Sequence, residues 1–180
     1  FLTTGVRRGE LAGLRWDDVD LDRATMAIVR NRVSAGRGKA VSTHQPKTRR
    51  GRRNVALDVT SVEVLRAHRT AQLQERMRLG PAWVDSGYVF CGVGGAALHP
   101  DTITATFKSI IRDLDVPQIR LHDLRHTSAT LALKAGVHPK VVSERLGHAA
   151  VSITLDLYSH VLDSMQAEAA EQIGDVVFGR

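Results

Sequence analysis

Apolar residues along this chain recur mostly at helical spacing. One early interval reads instead as short alternating runs. Leu121, Leu124, Ser128 and Leu131 lie three or four apart and predict a helix with those residues on its buried side. Lys134-Ala135-Gly136 ends it, with glycine in the usual place past a helix C-terminus. Upstream, Leu11 and Leu14 point inward from a short helical turn after Thr4-Gly5, and Trp16 is expected in the core. Thr60 or Ser61 caps a helix running to about Leu79, with Val62, Leu65, Leu73 and Met77 as its apolar residues. Pro100-Asp101 opens another helix, carrying Ile103, Phe107, Ile110 and Ile111 inward. Pro139 suits the first turn of a helix burying Val141, Val142 and Leu146, and Gly147 ends it. A further helix over 149–157 brings up Tyr158. An amphipathic helix over 159–173 follows, with Val161, Leu162, Met165, Ala169 and Ile173 along one side.

The alternating interval holds three strand-like runs, at 25–33, 39–43 and 54–57. Turns at 34–38 and 46–51 make them a small antiparallel sheet. The fold class is therefore mainly α with a small antiparallel three-stranded β-sheet. The chain has 180 residues, enough for one domain with a sizeable core. It opens on Phe1 without an initiator Met and is expected to be a fragment of something longer.

Charge changes the picture. The net charge is +6, but residues 30–53 contain nine basic side chains and no acidic one. They are Arg30, Arg32, Arg37, Lys39, Lys47, Arg49, Arg50, Arg52 and Arg53. A basic block on an otherwise slightly acidic body is a footprint for a polyanion, and a nucleic acid is the expected partner. No apolar run reaches transmembrane length. Cys91 is the single cysteine, which excludes an intrachain disulfide and argues against a cysteine-rich zinc site. A reducing, cytoplasmic setting is expected. No metal-ligand spacing is present. His44, His68, His99 and His138 are scattered and are read as surface residues.

Candidate chemistry gathers on the helix at 121–131. His122 and Arg125 are three apart, so they project from one face. An imidazole that titrates near neutral pH thus stands beside a fork-shaped permanent cation, a pairing suited to phosphate. Arg7 and Glu10 are also three apart, so the carboxylate can fix the rotamer of the arginine. Lys47, near the tip of the second hairpin, can reach beside a bound backbone. His148 follows the break after Gly147.

Taken together, Arg7, Lys47, His122, Arg125, His148 and Tyr158 resemble the active-site set of the tyrosine recombinase (phage integrase) family. The matching stretches are Thr4-Gly5-Val6-Arg7-Arg8-Gly9-Glu10-Leu11, Pro46-Lys47-Thr48, His122-Asp123-Leu124-Arg125-His126, Leu146-Gly147-His148 and Leu155-Asp156-Leu157-Tyr158-Ser159-His160. Each is weak alone; in order, across nearly the whole chain, they are specific. The resemblance implies a single catalytic domain over 1–180 of the DNA breaking-rejoining fold, without the family's N-terminal core-binding domain. It implies that Tyr158 attacks a DNA phosphodiester and forms a 3′-phosphotyrosyl link. Arg7 and Arg125 would clamp the non-bridging oxygens, and His122 would act as acid or base toward the tyrosine oxygen. Lys47 would protonate the leaving 5′-oxygen, His148 would donate to the phosphate, and Glu10 would support Arg7. His126 and His160 belong to the consensus but not to the catalytic set, and are given packing or hydrogen-bonding roles. No metal or nucleotide cofactor is implied. A homo-tetramer on DNA is implied for the full-length protein, with the last helix a candidate for docking on a neighbouring subunit. Many relatives carry Ser after the Gly-His pair. Ala149 and Ala150 stand here, which weakens the following helix cap by about 1 kcal/mol. Two other readings use the same residues: a relaxing enzyme of the type IB topoisomerase mechanism, and a DNA-binding module that has lost catalysis.

Overall fold

A computed structural model describes residues 1–36, 39–45, 51–164 and 166–179, with the side chains of 159–168 outside the description. The chain is mainly helical. Helix α1 (Arg8–Ala12) is followed by five short strands: β1 (Val19–Asp20), β2 (Thr25–Ile28), β3 (Asn31–Ser34), β4 (Val41–His44) and β5 (Arg53–Ala56). Helices α2 (Val59–Leu79), α3 (Pro100–Arg112), α4 (Asp123–Lys134), α5 (Pro139–Leu146), α6 (Val151–Ser164) and α7 (Gln166–Phe178) complete it. None of the described helices is long and apolar enough to cross a membrane.

The expected three-stranded antiparallel sheet exists, but with different members. Its order is β1-β2-β5, with Met26 opposite Val55 and Val19 opposite Met26. The run at 25–33 splits at Val29 and Arg30. Its second half, β3, leaves to pair with β4 in a separate hairpin, with Val33 opposite Ser42. So β5 pairs with β2 rather than with the run before it. Local alternation marks a strand but carries no information about its partner, and two-residue β1 is too short to show a pattern at all.

Two apolar clusters result. Val6, Leu14, Met26, Ile28, Val55, Leu57 and Val89 bury the sheet against the N-terminal segment, with Trp16 and Leu65 at the edge. Ala129, Leu133, Val142, Leu146 and Tyr158 pack α4, α5 and α6 together. The α2 face toward the first cluster is more polar than its pattern suggested. Leu73, Met77 and, on α3, Ile110 are exposed, as is Val141 on α5. In their place Gln72 donates to Tyr88 O and Val89 O and accepts from Trp16 Nε1 at 2.6 Å. His68 is half-buried, stacked on Phe90 and bonded to Val89 O. The α2 cap is Asp58, which accepts from Ser61 N–H at 2.9 Å. His99 and His138 are caps too, each accepting from a backbone N–H in the first turn of α3 or α5. His68 and His99 are thus not plain surface residues, while His138 is exposed as expected and caps α5 as well.

The helical break expected at Tyr158 is a kink inside α6, where that residue alone has non-helical dihedrals (φ −124°, ψ 20°). The last helix expected over 159–173 is therefore divided between α6 and α7.

Gly5 ties the two clusters. Its φ is +61°, and an added Cβ would lie 2.5 Å from Leu146 Cδ2. Gly5→Ala therefore meets both left-handed backbone strain and overpacking, and is expected to cost roughly 2–4 kcal/mol. Chemical denaturation of parent and variant measures it; a cost below about 1 kcal/mol contradicts the packing described.

Candidate active site

The seam between the clusters is held by arginines. Along α4 and the turn before it the buried positions are Leu121, Arg125, Ala129 and Leu133, one every fourth residue. Leu131, expected inside, is 55% exposed. The helix is rotated from its expected setting because Arg125, only 4% exposed, is drawn inward. Its Nη1 donates to Gly5 O, and its Nη2 donates to Leu146 O at 2.6 Å. Both acceptors are neutral carbonyls.

Arg7, the N-cap residue of α1, reaches the same strip of chain. Its Nη2 donates to Gly147 O at 3.2 Å, one residue beyond the carbonyl used by Arg125. Its Nη1 donates to Glu10 Oε1 at 2.8 Å, and its backbone N–H donates to Oε2 at 2.8 Å. The second pairing requires the single turn of α1, which returns Glu10 onto residue 7. Glu10 is 4% exposed and is also gripped by Arg53, whose Nη1 and Nη2 donate at 3.0 and 2.9 Å. Burial pushes the Glu10 carboxyl upward, but the hydrogen bonds and charge of Arg53, joined by Arg7, outweigh it and hold it below the ordinary range.

Two guanidiniums thus meet on one carboxylate, and the Arg125 guanidinium lies within their field. Burial, then the like charges of Arg7 and Arg53, push Arg125 down to about 10, still cationic at neutral pH. His148, in the turn after α5, feels the same field. Burial, then Arg125, Arg7 and Arg53, push its imidazole down to about 4, so it is neutral at physiological pH. Its Nδ1 pairs with Thr154 Oγ1 at 2.8 Å, which leaves Nε2 for another partner.

Tyr158 is 3% exposed, with its ring in the α4–α6 cluster. Its hydroxyl lies 2.9 Å from His126 Nδ1. Burial raises the phenol above its ordinary value, against the pull of Arg125. His122 is exposed at the N-cap of α4 and does not share the buried side of Arg125. Both nonetheless line one cleft with Arg8, Lys108 and Arg120. Burial, then His126 and Arg125, lower the His122 imidazole.

Arg7, Glu10, Arg125, His148 and Tyr158 are therefore brought together from four separate stretches, with His122 at the cleft. Lys47, Arg37, Arg49 and Arg50 lie outside the described residues. Of the other cations expected to face DNA, Lys39 and Arg52 are exposed, and Arg52 donates to Gln45 Oε1. Arg30 is half-exposed and paired with Asp18. Two assignments are corrected. Arg32 is buried, bonded to Leu98 O at 2.7 Å and placed over the ring of Tyr88. Arg53 has a side chain 7% exposed and faces inward on Glu10. Both lie in strands, where alternate residues turn to the core, and each finds acceptors there. Sequence reasoning gave Arg53 a DNA-facing role and missed its place in the site, whereas the hydrogen-bonding role expected of His126 is the one found, toward the Tyr158 hydroxyl. Arg53 was hidden in a basic run, and only the β2–β5 register reveals its direction.

The family model described as Phage integrase family matches residues 1–165. The chain belongs to the phage integrase family. It is 34% identical over 183 residues to the "Tyrosine recombinase XerC-like" protein of Caldanaerobacter subterraneus subsp. tengcongensis, covering 96% of this chain and 47% of that protein. It is 29% identical over 174 residues to the ICEBs1 integrase of Bacillus subtilis, covering 97% and 46%. The chain spans about half the length of these curated relatives. Its fold is that of the Tn1549 transposon integrase solved in complex with transposon right end DNA, at a TM-score of 0.76 and 23% identity over 94% of this chain and 56% of that one. The crystal structure of XerA recombinase matches at a TM-score of 0.69 and 24% identity, covering 93% and 55%. The arginine-rich seam and buried tyrosine thus sit within a phage-integrase-family catalytic-domain fold.

Proposed function

We propose that the chain is the catalytic domain of a site-specific recombinase or integrase. It cuts and rejoins double-stranded DNA through a 3′-phosphotyrosyl intermediate. The observation that carries this reading is the pairing of Arg7 and Arg53 on the single carboxylate of Glu10, with Arg125 close enough to feel both cations, beside a neutral His148 and a buried phenol. Such a seam has positive charge in excess and a natural complement in a phosphodiester. Tyr158 is the nucleophile; covalent catalysis divides one displacement into two and conserves the bond for rejoining. Arg7 and Arg125 bind the non-bridging oxygens, where charge builds in the transition state. His148 donates from Nε2, and Lys47 protonates the leaving 5′-oxygen. His122, lining the cleft, acts as acid or base toward the tyrosine oxygen. These cations serve the purpose a metal serves in other phosphoryl transfers, so the reaction proceeds without one. The names of the relatives favour recombination over supercoil relaxation. The full-length protein works in the cytoplasm as a homo-tetramer on DNA.

The deciding experiment incubates the full-length protein with a nicked suicide duplex spanning the insertion junction of the element that carries its gene. A protein–DNA adduct stable to denaturant and mapped by mass spectrometry to Tyr158 is expected. Adduct at another residue, or binding without any adduct, overturns the assignment.

Lys39, Arg52 and the neighbouring Arg49 and Arg50 supply sequence-independent phosphate contacts. Replacing Arg49, Arg50 and Arg52 by Ala is expected to weaken binding on all sequences alike. It should flatten the slope of log K against log[salt] by roughly 0.9 for each phosphate that is no longer neutralised. Fluorescence anisotropy on matched and unrelated duplexes measures both, and a loss confined to one sequence contradicts the reading.

A further inference from the structure

We propose that Thr154 is a positioning residue that holds His148 in the tautomer able to donate to the phosphate from Nε2, and so ties that donor to the helix carrying Tyr158; this rests on the recombinase reading above. Thr154 is polar yet 0% exposed. A hydroxyl shut away from water must give its proton to an acceptor or forfeit a hydrogen bond. Thr70 and Thr127 solve this locally, each donating to the carbonyl four residues back, Arg66 O at 3.1 Å and Asp123 O at 3.0 Å. Thr154 turns elsewhere. Among the described residues, the side chain that meets its Oγ1 is His148, with Nδ1 at 2.8 Å.

Nδ1 accepts only when it carries no hydrogen. Burial, then Arg125, Arg7, Arg53 and His126, keep the ring neutral at physiological pH, so its one N–H hydrogen then stands on Nε2. The reverse arrangement would orphan the buried hydroxyl proton and turn a bare lone pair toward an anion. The backbone of His148 is fixed as well, its N–H donating to Ser143 O at 3.0 Å. Ring and backbone are thus both tethered, and Nε2 is left for the substrate. Thr154 and Tyr158 lie one turn apart on α6, and both are buried. The element that carries the nucleophile therefore also sets the donor, although Thr154 itself touches neither the phosphate nor the reacting atoms.

The test measures single-turnover adduct formation by the full-length protein on the suicide duplex. Thr154→Val keeps the branched shape and removes the hydroxyl. It is expected to bind DNA like the parent and to cleave roughly 10–100-fold more slowly, as when a ligand histidine loses the partner of its other nitrogen. Thr154→Ser should restore most of the rate. In a His148→Ala background Thr154→Val should cost nothing further, because its effect runs through the imidazole. Nitrogen-15 NMR of the His148 ring, identified by its loss in His148→Ala, should show hydrogen on Nε2 and a bare Nδ1 in the parent. Both forms should appear in Thr154→Val. A parental rate in Thr154→Val overturns the inference. So does an equal further deficit in the His148→Ala background, a Thr154→Ser variant no faster than Thr154→Val, or hydrogen on Nδ1 in the parent. Each of these leaves the recombinase reading standing, whereas absence of any adduct with the parent protein sinks both.

Discussion

Tyr158→Phe is expected to bind DNA with parental affinity and to form no covalent adduct at all. The substitution removes one oxygen and leaves the ring in place among Ala129, Leu133, Val142 and Leu146. The packing of α4, α5 and α6 is therefore preserved. The lost hydrogen bond to His126 Nδ1 costs about 0.5–1.5 kcal/mol, small enough for the variant to remain folded. The arginine seam does not depend on the hydroxyl: Arg125 hangs on Gly5 O and Leu146 O, and Arg7 on Glu10 and Gly147 O. Phosphate binding should thus survive while the chemistry disappears. Band-shift assays and denaturing gels on one suicide duplex separate the two. Residual adduct in Tyr158→Phe would mean that another nucleophile serves.

Arg53→Met is expected to be the most destabilising single change at the site, by about 3–5 kcal/mol. The methionine fills comparable volume, so the effect isolates the charge. In the native chain Arg53 gives two hydrogen bonds to Glu10 and one, from Nε at 2.6 Å, to Arg145 O. Removing it leaves a carboxylate at 4% exposure with Arg7 alone, and Arg7 is more open to solvent. The turn after α5 loses an anchor too, because Gly147 packs against the Arg53 guanidinium. That turn carries His148 and accepts from Arg7, so cleavage falls along with stability. A fall in melting temperature of roughly 6–20 °C should follow. The double variant with Glu10→Gln should recover part of the loss, since no buried charge then remains unpaired. The pH dependence has a definite sign. The Glu10 carboxyl is held below its ordinary value in the folded chain, so its stabilisation is present above that value and is lost as pH falls through the depressed one. In Arg53→Met the depression is relieved, and the acid limb of the stability curve becomes shallower. Stability unchanged within about 1 kcal/mol would show that Arg53 is solvated, as its place in a basic run suggests.

How much could be read in advance differs between elements. The helix carrying Arg125 was legible from its apolar spacing and its closing glycine. Its rotation was not, because a buried arginine looks polar in any pattern and only the carbonyls of Gly5 and Leu146 explain its burial. The strands were legible as runs, but their pairing joins residues such as Ala27 and Asn54 that only the assembled sheet brings together. The cap of α2 was missed by two or three residues, since Asp58, Thr60 and Ser61 are all good caps and geometry selected the first.

By itself the sequence determined the chemical inventory and its order: an early Arg-x-x-Glu, a basic middle, a His-x-x-Arg-His helix, a Gly-His turn and a late tyrosine. Those residue types at that spacing identify a phosphate-handling set, because spacing along a helix or turn controls what neighbours can meet. Tertiary structure alone decided which basic residues face inward on Glu10 and which face solvent. It also placed His126 rather than His122 on the phenol. Both depend on strand register, helix rotation and a kink, and these are settled by contacts between segments far apart in the chain.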